Sequence, residues 1–530
     1  MKQVVCILIP LLFLLLSVSL FAQGKEKVWV VFSDKPYGYF DPGEYFDPHS
    51  VQRRVRQELP LYDETDLPVS VDYIRRVEAV AGRVVKVSRW LNAVTVYAGR
   101  KEQEALSRLP FVTSIEPVLR VPAPSLKTFR QEVPWLGKEE ELAELQLAML
   151  EGDVFDSLGL DGRGVRIAVF DAGFPEVDNH PLFAHIREEG RIVATHDFIK
   201  GKDDVFAGNV HGTMVLSCIA GINSEWTLGL ATGAEFLLAR TEQWGEPFSE
   251  EENWVCAMEW ADRYGADIIS SSLGYTYHRY FPDEMNGRVA MVSRAATLAA
   301  KKGILVVNAM GNSGASRWEI LGAPADADSI LSVGGVDPFT GRHMAFSSFG
   351  PSADGRLKPN VCAPAQAAVA GKKKVKTAYG TSFSTPLVTG FAACVRQMHP
   401  EWNNLELLHA IERSGHLYPY YDYAHGYGIP QASYFTAKKK DDEPLFTISA
   451  DEEKLAVQIR KMPGDSAVGI RPYLYYHIAY PGGLLKKYAV IEVTDSIPLV
   501  IPAQELNPDD ILRVYYGGQT RCLCAENSDL

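Results

Sequence analysis

The chain has 530 residues, of which 22% are charged and 46% hydrophobic, a composition typical of folded globular proteins. These values exclude a disordered chain, a collagen-like repeat and a multi-pass membrane protein. With 53 Lys and Arg against 66 Asp and Glu, the net charge of -13 argues against nucleic acids and anionic membrane surfaces as partners. At roughly 100–200 residues per domain, the length predicts about three or four folded units.

The first 22 residues have the features of a signal peptide. Met1 and Lys2 form a short basic start, residues 4–21 are almost wholly apolar, and Ala22 offers a small residue for cleavage. An uncleaved membrane anchor is the alternative, and the lack of a stop-transfer pattern favours cleavage. We therefore expect an exported protein, periplasmic, cell-surface or secreted, with no membrane span in the mature chain. The six cysteines beyond Cys6 are too few for a disulfide scaffold, and their pairing stays open.

Four regions follow the signal. Residues 24–118 mix strand-like and helix-like pieces and predict a small α+β unit. Residues 119–150 form a proline-marked connector that ends in a helical stretch. Residues 444–530 follow a charged linker and alternate β-branched and aromatic residues, which predicts a small β domain of unknown role, either a stabilising cap or a ligand-binding accessory.

Residues 151–436 carry a different pattern, in which short apolar strands alternate with helical stretches. The strand candidates are 165–170, 236–239, 268–271 and 304–309, and the helix candidates are 215–222, 253–264, 289–301 and 386–398. This alternation predicts an α/β fold, a parallel sheet with helices on both faces. In such sheets the functional groups gather at the carboxyl ends of the strands.

Three residues at element boundaries stand out. Asp171 ends an apolar strand, His211 opens an apolar helical stretch, and Ser382 follows Gly-Thr ahead of the helix predicted from Pro386, with that proline in its first turn. Each has an ordinary alternative, because Asp and Ser cap helices and a lone His is common on surfaces. Their order along the chain, Asp, His and Ser, makes the combination specific.

Together these patches resemble the subtilisin-type serine proteases, the subtilase family, over about residues 164–435. The separations of 40 residues from Asp171 to His211 and of 171 residues to Ser382 suit that family. The resemblance implies a subtilisin-like sheet, a nucleophilic Ser382, a general base at His211 and an orienting carboxylate at Asp171. Ser384 is a competing nucleophile, and the family pattern selects the serine directly after Gly-Thr.

The resemblance also implies an oxyanion site and a substrate pocket. Asn312, which follows Gly311, takes the amide role in stabilising the oxyanion, and Asn308 does not. Ser272, Leu273 and Gly274 match the strand that pairs with the substrate backbone. Ala309 and Gly311 would form the opposite wall of the pocket, with Gly322 at its floor.

The match to the family is incomplete in places. Ala172 and Leu387 replace common family residues, and the loop 222–227 is one residue shorter than the family's calcium loop, so we assign no cofactor and no calcium ligand. Residues 24–118 resemble the family's inhibitory propeptide, which implies a zymogen whose partners are its own propeptide and protein or peptide substrates. We expect the protease to cut its own connector between about residues 120 and 151.

Two other functions remain as alternatives. A Ser-Glu-Asp relative is disfavoured because His211 holds the general-base position. A catalytically inactive peptide-binding protein on the same scaffold is the alternative from another class.

Overall fold

The computed structural model describes residues 25–36, 39–118, 138–243, 249–276, 279–372, 374–436, 444–450, 454–459, 473–493, 499–502 and 505–523. The predicted signal peptide, most of the connector and Cys524 lie outside the described residues. The chain divides into two compact units, one drawn from Met1–Tyr45 and Pro60–Pro122 and the other from Phe46–Leu59 and Ala123–Leu530.

The first unit is an antiparallel sheet with helices, in agreement with the predicted α+β architecture. The elements of residues 25–118, in chain order, are β1 Glu26–Phe32, α1 Pro42–Tyr45, α2 Pro48–Arg56, α3 Val71–Ala81, β2 Lys86–Ser88, β3 Ala93–Ala98, α4 Arg100–Leu106 and β4 Val112–Pro117. The strand order is β2-β3-β1-β4, with every pair antiparallel. Helix α2 does not belong to this unit. Residues 46–59 pack with the second unit, so the region predicted as one continuous unit over 24–118 is interrupted.

The second unit is built on a seven-stranded parallel sheet. Its elements up to residue 436 are α5 Glu139–Ala148, α6 Gly152–Ser157, β5 Arg166–Asp171, α7 Ala184–Glu188, β6 Ile192–Asp197, α8 His211–Ala220, β7 Glu235–Arg240, α9 Ser249–Arg263, β8 Ile268–Ser271, α10 Met291–Lys301, β9 Leu305–Ala309, β10 Leu331–Val336, β11 Val361–Pro364, β12 Gln366–Ala370, β13 Val375–Tyr379, α11 Thr381–Met398 and α12 Asn404–Ser414. Short 3₁₀ helices lie at Glu64–Asp66, Pro181–Phe183, Pro282–Glu284 and Ala432–Phe435.

The strand order of this sheet is β11-β10-β9-β8-β5-β7-β6. Strands β6 and β7 lie on one side of β5, and the later strands β8 to β11 lie on its other side, so the strand order reverses at β5. Helices α8 and α11 pack as one pair and α9 and α10 as another, and both pairs contact the sheet. The α/β prediction is confirmed. Crevices in parallel sheets form at the carboxyl ends of the strands beside such a reversal, which is where Asp171 ends β5.

Helix α11 begins five residues earlier than predicted, and this corrects the place of Pro386. The helix starts at Thr381, after Gly380 with a φ of +140°, a conformation that favours glycine. Pro386 therefore lies inside the helix rather than in its first turn. Because proline has no N–H, the carbonyl of Ser382 loses its donor one turn later.

The C-terminal part contains two antiparallel sheets, ordered β14-β15-β18 and β17-β16-β19-β20, in agreement with the predicted β architecture. Their strands are β14 Phe446–Ala450, β15 Lys454–Ile459, β16 Tyr473–Ala479, β17 Leu485–Glu492, β18 Leu499–Pro502, β19 Ile511–Tyr516 and β20 Gln519–Leu523. Tyr475 and Tyr515 of these strands pack with Leu417 and Tyr420 in a buried cluster. The four-stranded sheet thus shares a packed face with the preceding region.

Among the described residues, no helix combines the length and apolarity that a membrane crossing requires.

Candidate active site

Asp171 and His211 meet at the carboxyl edge of the sheet. The Nδ1 atom of His211, the first residue of α8, lies 2.9 Å from both carboxylate oxygens of Asp171. Asp171 is fully buried, and its carboxylate also accepts from the Ala172 N–H at 2.7 Å. Gly212 permits this approach, because a Cβ there would lie 2.4 Å from the carbonyl oxygen of Gly173 and 2.9 Å from Asp171 Cβ.

The surroundings of His211 act on its pKa in opposite directions. Desolvation is the largest effect and lowers the pKa of the imidazole, whereas the charge of Asp171 and its hydrogen bond raise it. The net result is a pKa above the ordinary value near 6.5. The arrangement favours the imidazolium while it fixes the Nδ1 atom as the donor, which leaves Nε2 as the site that can take up a proton.

Ser382 is held by reciprocal hydrogen bonds with Ser272. The Ser382 hydroxyl donates to the backbone carbonyl of Ser272 at 3.2 Å, and the Ser272 hydroxyl donates to the carbonyl of Ser382 at 2.8 Å. The second bond replaces the donor that Pro386 lacks. The ring of Phe383 lies 5.8 Å from that of His211, so the imidazole is next to the first turn of α11.

Ser384, the competing serine, lies elsewhere. It is fully buried, and its hydroxyl donates to the carbonyl of Pro364 at 3.1 Å. Ser382 is half-buried, so only Ser382 of these two serines has access to solvent.

The two candidate amides differ in exposure and in partners. Asn312 is exposed, and its Oδ1 atom accepts from the Thr381 N–H at 2.9 Å and from the Thr381 hydroxyl at 3.1 Å. These two bonds orient the Asn312 amide group beside the amino end of α11, where the first N–H groups have no acceptor within the helix. Asn308 is buried, and its Nδ2 atom donates to the carbonyl of Leu273 at 3.1 Å.

The three predicted substrate segments lie side by side. Tyr275 and Ala323 exchange backbone hydrogen bonds of 2.8 and 2.9 Å, which join the segment after Gly274 to the segment after Gly322. The Gly322 N–H donates to the carbonyl of Met310, between Ala309 and Gly311, at 3.3 Å. Gly274 is exposed, and a Cβ on it would meet no atom closer than 4.0 Å.

A buried acidic network beside this edge was not predicted from the sequence. Glu242 follows β7, and its carboxylate accepts from the Tyr275 hydroxyl at 2.6 Å. Burial, followed by the charge of Glu250, raises the pKa of Glu242 well above its ordinary range. Arg279 pairs with Glu250 at 3.2 Å and lies 4.1 Å from the centre of the Tyr275 ring. The position of Glu242 two residues after the apolar strand β7, near the carboxyl edge that also holds Asp171, was the available signal.

The loop after α8 forms a tight turn. Ile222 and Thr227 form an isolated antiparallel bridge, and the Asn223 Oδ1 atom accepts from two backbone N–H groups in the turn. Within the described ranges, no group of three or more His, Cys, Asp or Glu side chains is arranged to hold a metal ion.

Comparisons with known proteins identify the families that this chain matches. The model of the Subtilase family matches residues 162–428, and that of the Peptidase S8 propeptide domain, Bacteroidota, matches residues 27–131. Similar proteins include alkaline elastase YaB of Bacillus sp. (strain YaB), 29% identical over 61% of this chain and 74% of the relative. Subtilisin BL of Lederbergia lenta is 29% identical over 54% of this chain and 91% of the relative.

Among solved structures, the chain is similar to that of a cold adapted subtilisin-like serine proteinase. It shares 24% identity and a TM-score of 0.40, over 48% of this chain and 84% of that chain. MycP1 from Mycobacterium smegmatis shares 21% identity and a TM-score of 0.44, over 57% and 86%. With the family model matching half of its length, the chain belongs to the subtilase family and is a subtilisin-type serine endopeptidase with a propeptide domain.

Proposed function

We propose that the protein is an exported endopeptidase that cleaves peptide bonds through an acyl-enzyme on Ser382. The observation that carries the proposal is the contact of His211 Nδ1 with both oxygens of Asp171, at the sheet edge that also holds Ser382. His211 Nε2 would take the proton of the Ser382 hydroxyl as the oxygen attacks the scissile carbonyl, and would then pass it to the leaving amine. Asp171 would hold the tautomer and stabilise the imidazolium.

The same proposal assigns the oxyanion and substrate contacts. The Asn312 amide and the Ser382 N–H would donate to the oxygen that becomes negative in the tetrahedral intermediate. Ser272, Leu273 and Gly274 would pair with the substrate backbone as an added strand. The exposed Gly274 suits such pairing, since no side chain covers its backbone.

A fluorophosphonate probe tests this mechanism, because it labels a serine only when a neighbouring base activates it. We expect wild-type protein and the Ser384→Ala variant to be labelled and to hydrolyse casein. The Ser382→Ala variant should lose labelling and lose activity by about 10⁶-fold, the scale known for subtilisin itself. An unlabelled wild type that still binds peptides would instead support the inactive peptide-binding function, and labelling of Ser382→Ala would refute the nucleophile.

We further propose that the enzyme matures by cutting its own connector. The interval predicted from the sequence ran from residue 120 to 151, but α5 is part of the second unit's core. Leu142 is fully buried, and Gln146 donates to the carbonyl of Leu228 at 2.8 Å. A cut within α5 would disrupt that packing, so the processed bond should precede Lys138. N-terminal sequencing of the mature enzyme tests this, and Ser382→Ala protein should remain uncut.

Export rests on the signal-like residues 1–22. Fractionation of producing cells tests it, with wild-type protein expected outside the cytoplasm and a chain lacking residues 2–22 expected inside.

A further inference from the structure

Residues 46–59, here termed the anchor segment, pack against the end of the catalytic sheet that is opposite the active site. The segment contains α2 and belongs to the second unit. Its partners precede the strands: Arg166 opens β5, Asp267 comes directly before β8, and Gly303 comes shortly before β9. Because the strands are parallel, these positions share the amino edge of the sheet, whereas Asp171 and Ser271 share the carboxyl edge.

Two arginines of α2 bind one buried carboxylate at the end of α9. Arg53 and Arg54 are 0% and 2% exposed, and each donates to a different oxygen of Asp262, Arg54 at 2.7 Å. Arg53 also donates to the carbonyls of Ala266 and Lys302. The guanidinium of Arg54 lies 4.0 Å from the centre of the Phe46 ring. Both cations are therefore fully taken out of water, which is rare for arginine unless it is paired.

A second buried carboxylate of the catalytic unit binds the same segment. Asp267 accepts from Arg56 at 2.6 Å and lies 2.7 Å from the His49 imidazole. Burial by itself would raise the pKa of Asp267, but the hydrogen bond and charge of His49, together with Arg56, lower it below the ordinary value. Asp47 adds the reverse pairing, since its carboxylate accepts from Arg166 at 3.0 Å. The anchor segment thus offers basic groups to a carboxylate of the catalytic unit and a carboxylate to one of its arginines.

The anchor segment also fits closely between backbone segments. A Cβ on Gly265 would lie 2.7 Å from the Ser50 nitrogen. Gln57 donates to the carbonyl of Gly303 at 2.8 Å and accepts from the Asn404 N–H at 3.2 Å. The interface thus combines buried ion pairs, backbone hydrogen bonds and close contact, as in the interior of a folded domain.

We infer that the anchor segment is a permanent part of the catalytic unit and keeps the N-terminal fragment bound after the connector is cut. The peptide bonds 45–46 and 59–60 join the segment to both halves of the propeptide unit. Cleavage at residues 119–137 leaves those bonds intact, so it separates the two chains covalently without freeing the fragment. The inference rests on the proposed function only in assuming that the connector is the processed segment.

The test uses the full chain with Ser382→Ala and a recognition sequence for a site-specific protease inserted between residues 119 and 137. After cutting, size-exclusion chromatography at nanomolar concentration in 1 M salt should keep both fragments in one peak, and a denaturing gel should show two bands. The design needs no activity of the enzyme itself, so failure of the mechanism and failure of the anchor give different results.

Two double arginine variants distinguish the contribution of the anchor segment to fragment binding from that of other residues of the fragment. Arg53→Met with Arg54→Met should increase dissociation of the cut fragment at least tenfold, because Asp262 then lacks both buried partners. Arg75→Met with Arg76→Met is the matched control, since that pair is exposed on α3 and should leave dissociation unchanged. Equal dissociation in the two double variants would overturn the inference.

Hydrogen exchange on the cut protein gives a readout that does not depend on whether a variant folds. We expect the amides of α2 to remain as protected as those of β8 after cutting. The inference is overturned if α2 exchanges freely while β8 stays protected, even when the two fragments still elute together.

Discussion

Ser272 and Ser382 hold each other through two hydrogen bonds of opposite direction, hydroxyl to carbonyl in each case. One of these bonds exists because Pro386 cannot donate to the Ser382 carbonyl. The other places the Ser382 hydroxyl on a backbone oxygen of the proposed substrate-binding segment. The proposed nucleophile is thus coupled to the segment on which the substrate would lie.

We expect Ser272→Ala to lower kcat several-fold and to cost about 1 kcal/mol in unfolding free energy, because the Ser382 carbonyl loses its donor. Casein kinetics and denaturant titration measure the two effects. Ser414→Ala is the matched control, since it removes a buried hydroxyl-to-carbonyl bond at the end of a different helix, α12. It should lower stability without changing kcat.

Pro386→Ala restores a backbone N–H that can donate to the Ser382 carbonyl. If Ser272→Ala lowers kcat and stability as much in that background as in the wild type, the explanation is contradicted.

Asn312→Ala should lower kcat by about 10²–10³-fold with little change in KM, the range known for the corresponding donor in subtilisin. The amide would meet the developing oxyanion rather than the ground-state carbonyl, so substrate binding is spared. Asn308→Ala is the comparison. Its buried amide supports the Leu273 carbonyl, so the loss should fall on stability and KM. A rise in KM with kcat intact for Asn312→Ala would exclude the oxyanion role.

The rate should depend on the protonation of His211. Because Asp171 raises the pKa of His211, kcat/KM should fall as pH decreases through a midpoint above 6.5. In Asp171→Asn only the lowering effect of desolvation remains, so the midpoint should move below 6.5 and the maximal rate should fall. The same shift affects stability. The Asp171–imidazolium attraction is fully present below pH 6.5 and is lost as pH rises through the higher folded pKa.

Measured at several pH values, the stability deficit of Asp171→Asn should therefore be largest in acid and shrink in alkali. A deficit that grows with pH would contradict the raised pKa.

The primary pocket should prefer large apolar or aromatic side chains. The segments 272–276, 309–314 and 320–325 contain no Asp or Glu to pair with a basic side chain. Gly322→Ala should reduce kcat/KM for substrates with large side chains, and a peptide library measures this preference.

The added Cβ would also approach Thr276 and the Tyr275 carbonyl at 2.8 and 2.9 Å, so the neighbouring strand should shift. Gly482→Ala, where a Cβ meets nothing, is the control. A profile dominated by Lys or Arg would refute the prediction.

The sequence was most informative where polar residues interrupt an apolar pattern. The strand Ile268–Ser271 was predicted to the residue, because β-branched runs between turn residues have few other conformations. Strand β10 was not among the predicted strands, since Gly334 and Gly335 weaken the strand signal. Strand β6 is half-exposed and polar, and it has no clear alternation.

Some features of the site depend on contacts that no local pattern encodes. Nothing near Ser272 indicates that its hydroxyl replaces the donor missing at Pro386, because the two residues are far apart in the chain. The local sequence likewise gives no indication that Arg53 and Arg54 are buried. A run of arginines in a short helix is typical of a solvated surface. These two are buried because Asp262, near the end of α9, lies against them in the fold.

The tyrosine cluster between the four-stranded C-terminal sheet and the rest of the second unit has a consequence for modularity. The family match ends at residue 428, yet Tyr420 lies 5.7 Å from Tyr475 and its ring stacks on His477 at 5.0 Å. The His477 imidazole also bonds the carbonyl of Tyr421. A boundary of sequence similarity is therefore not a boundary of packing. Exchange of the C-terminal sheets for another domain would have to replace both sides of this aromatic face at once.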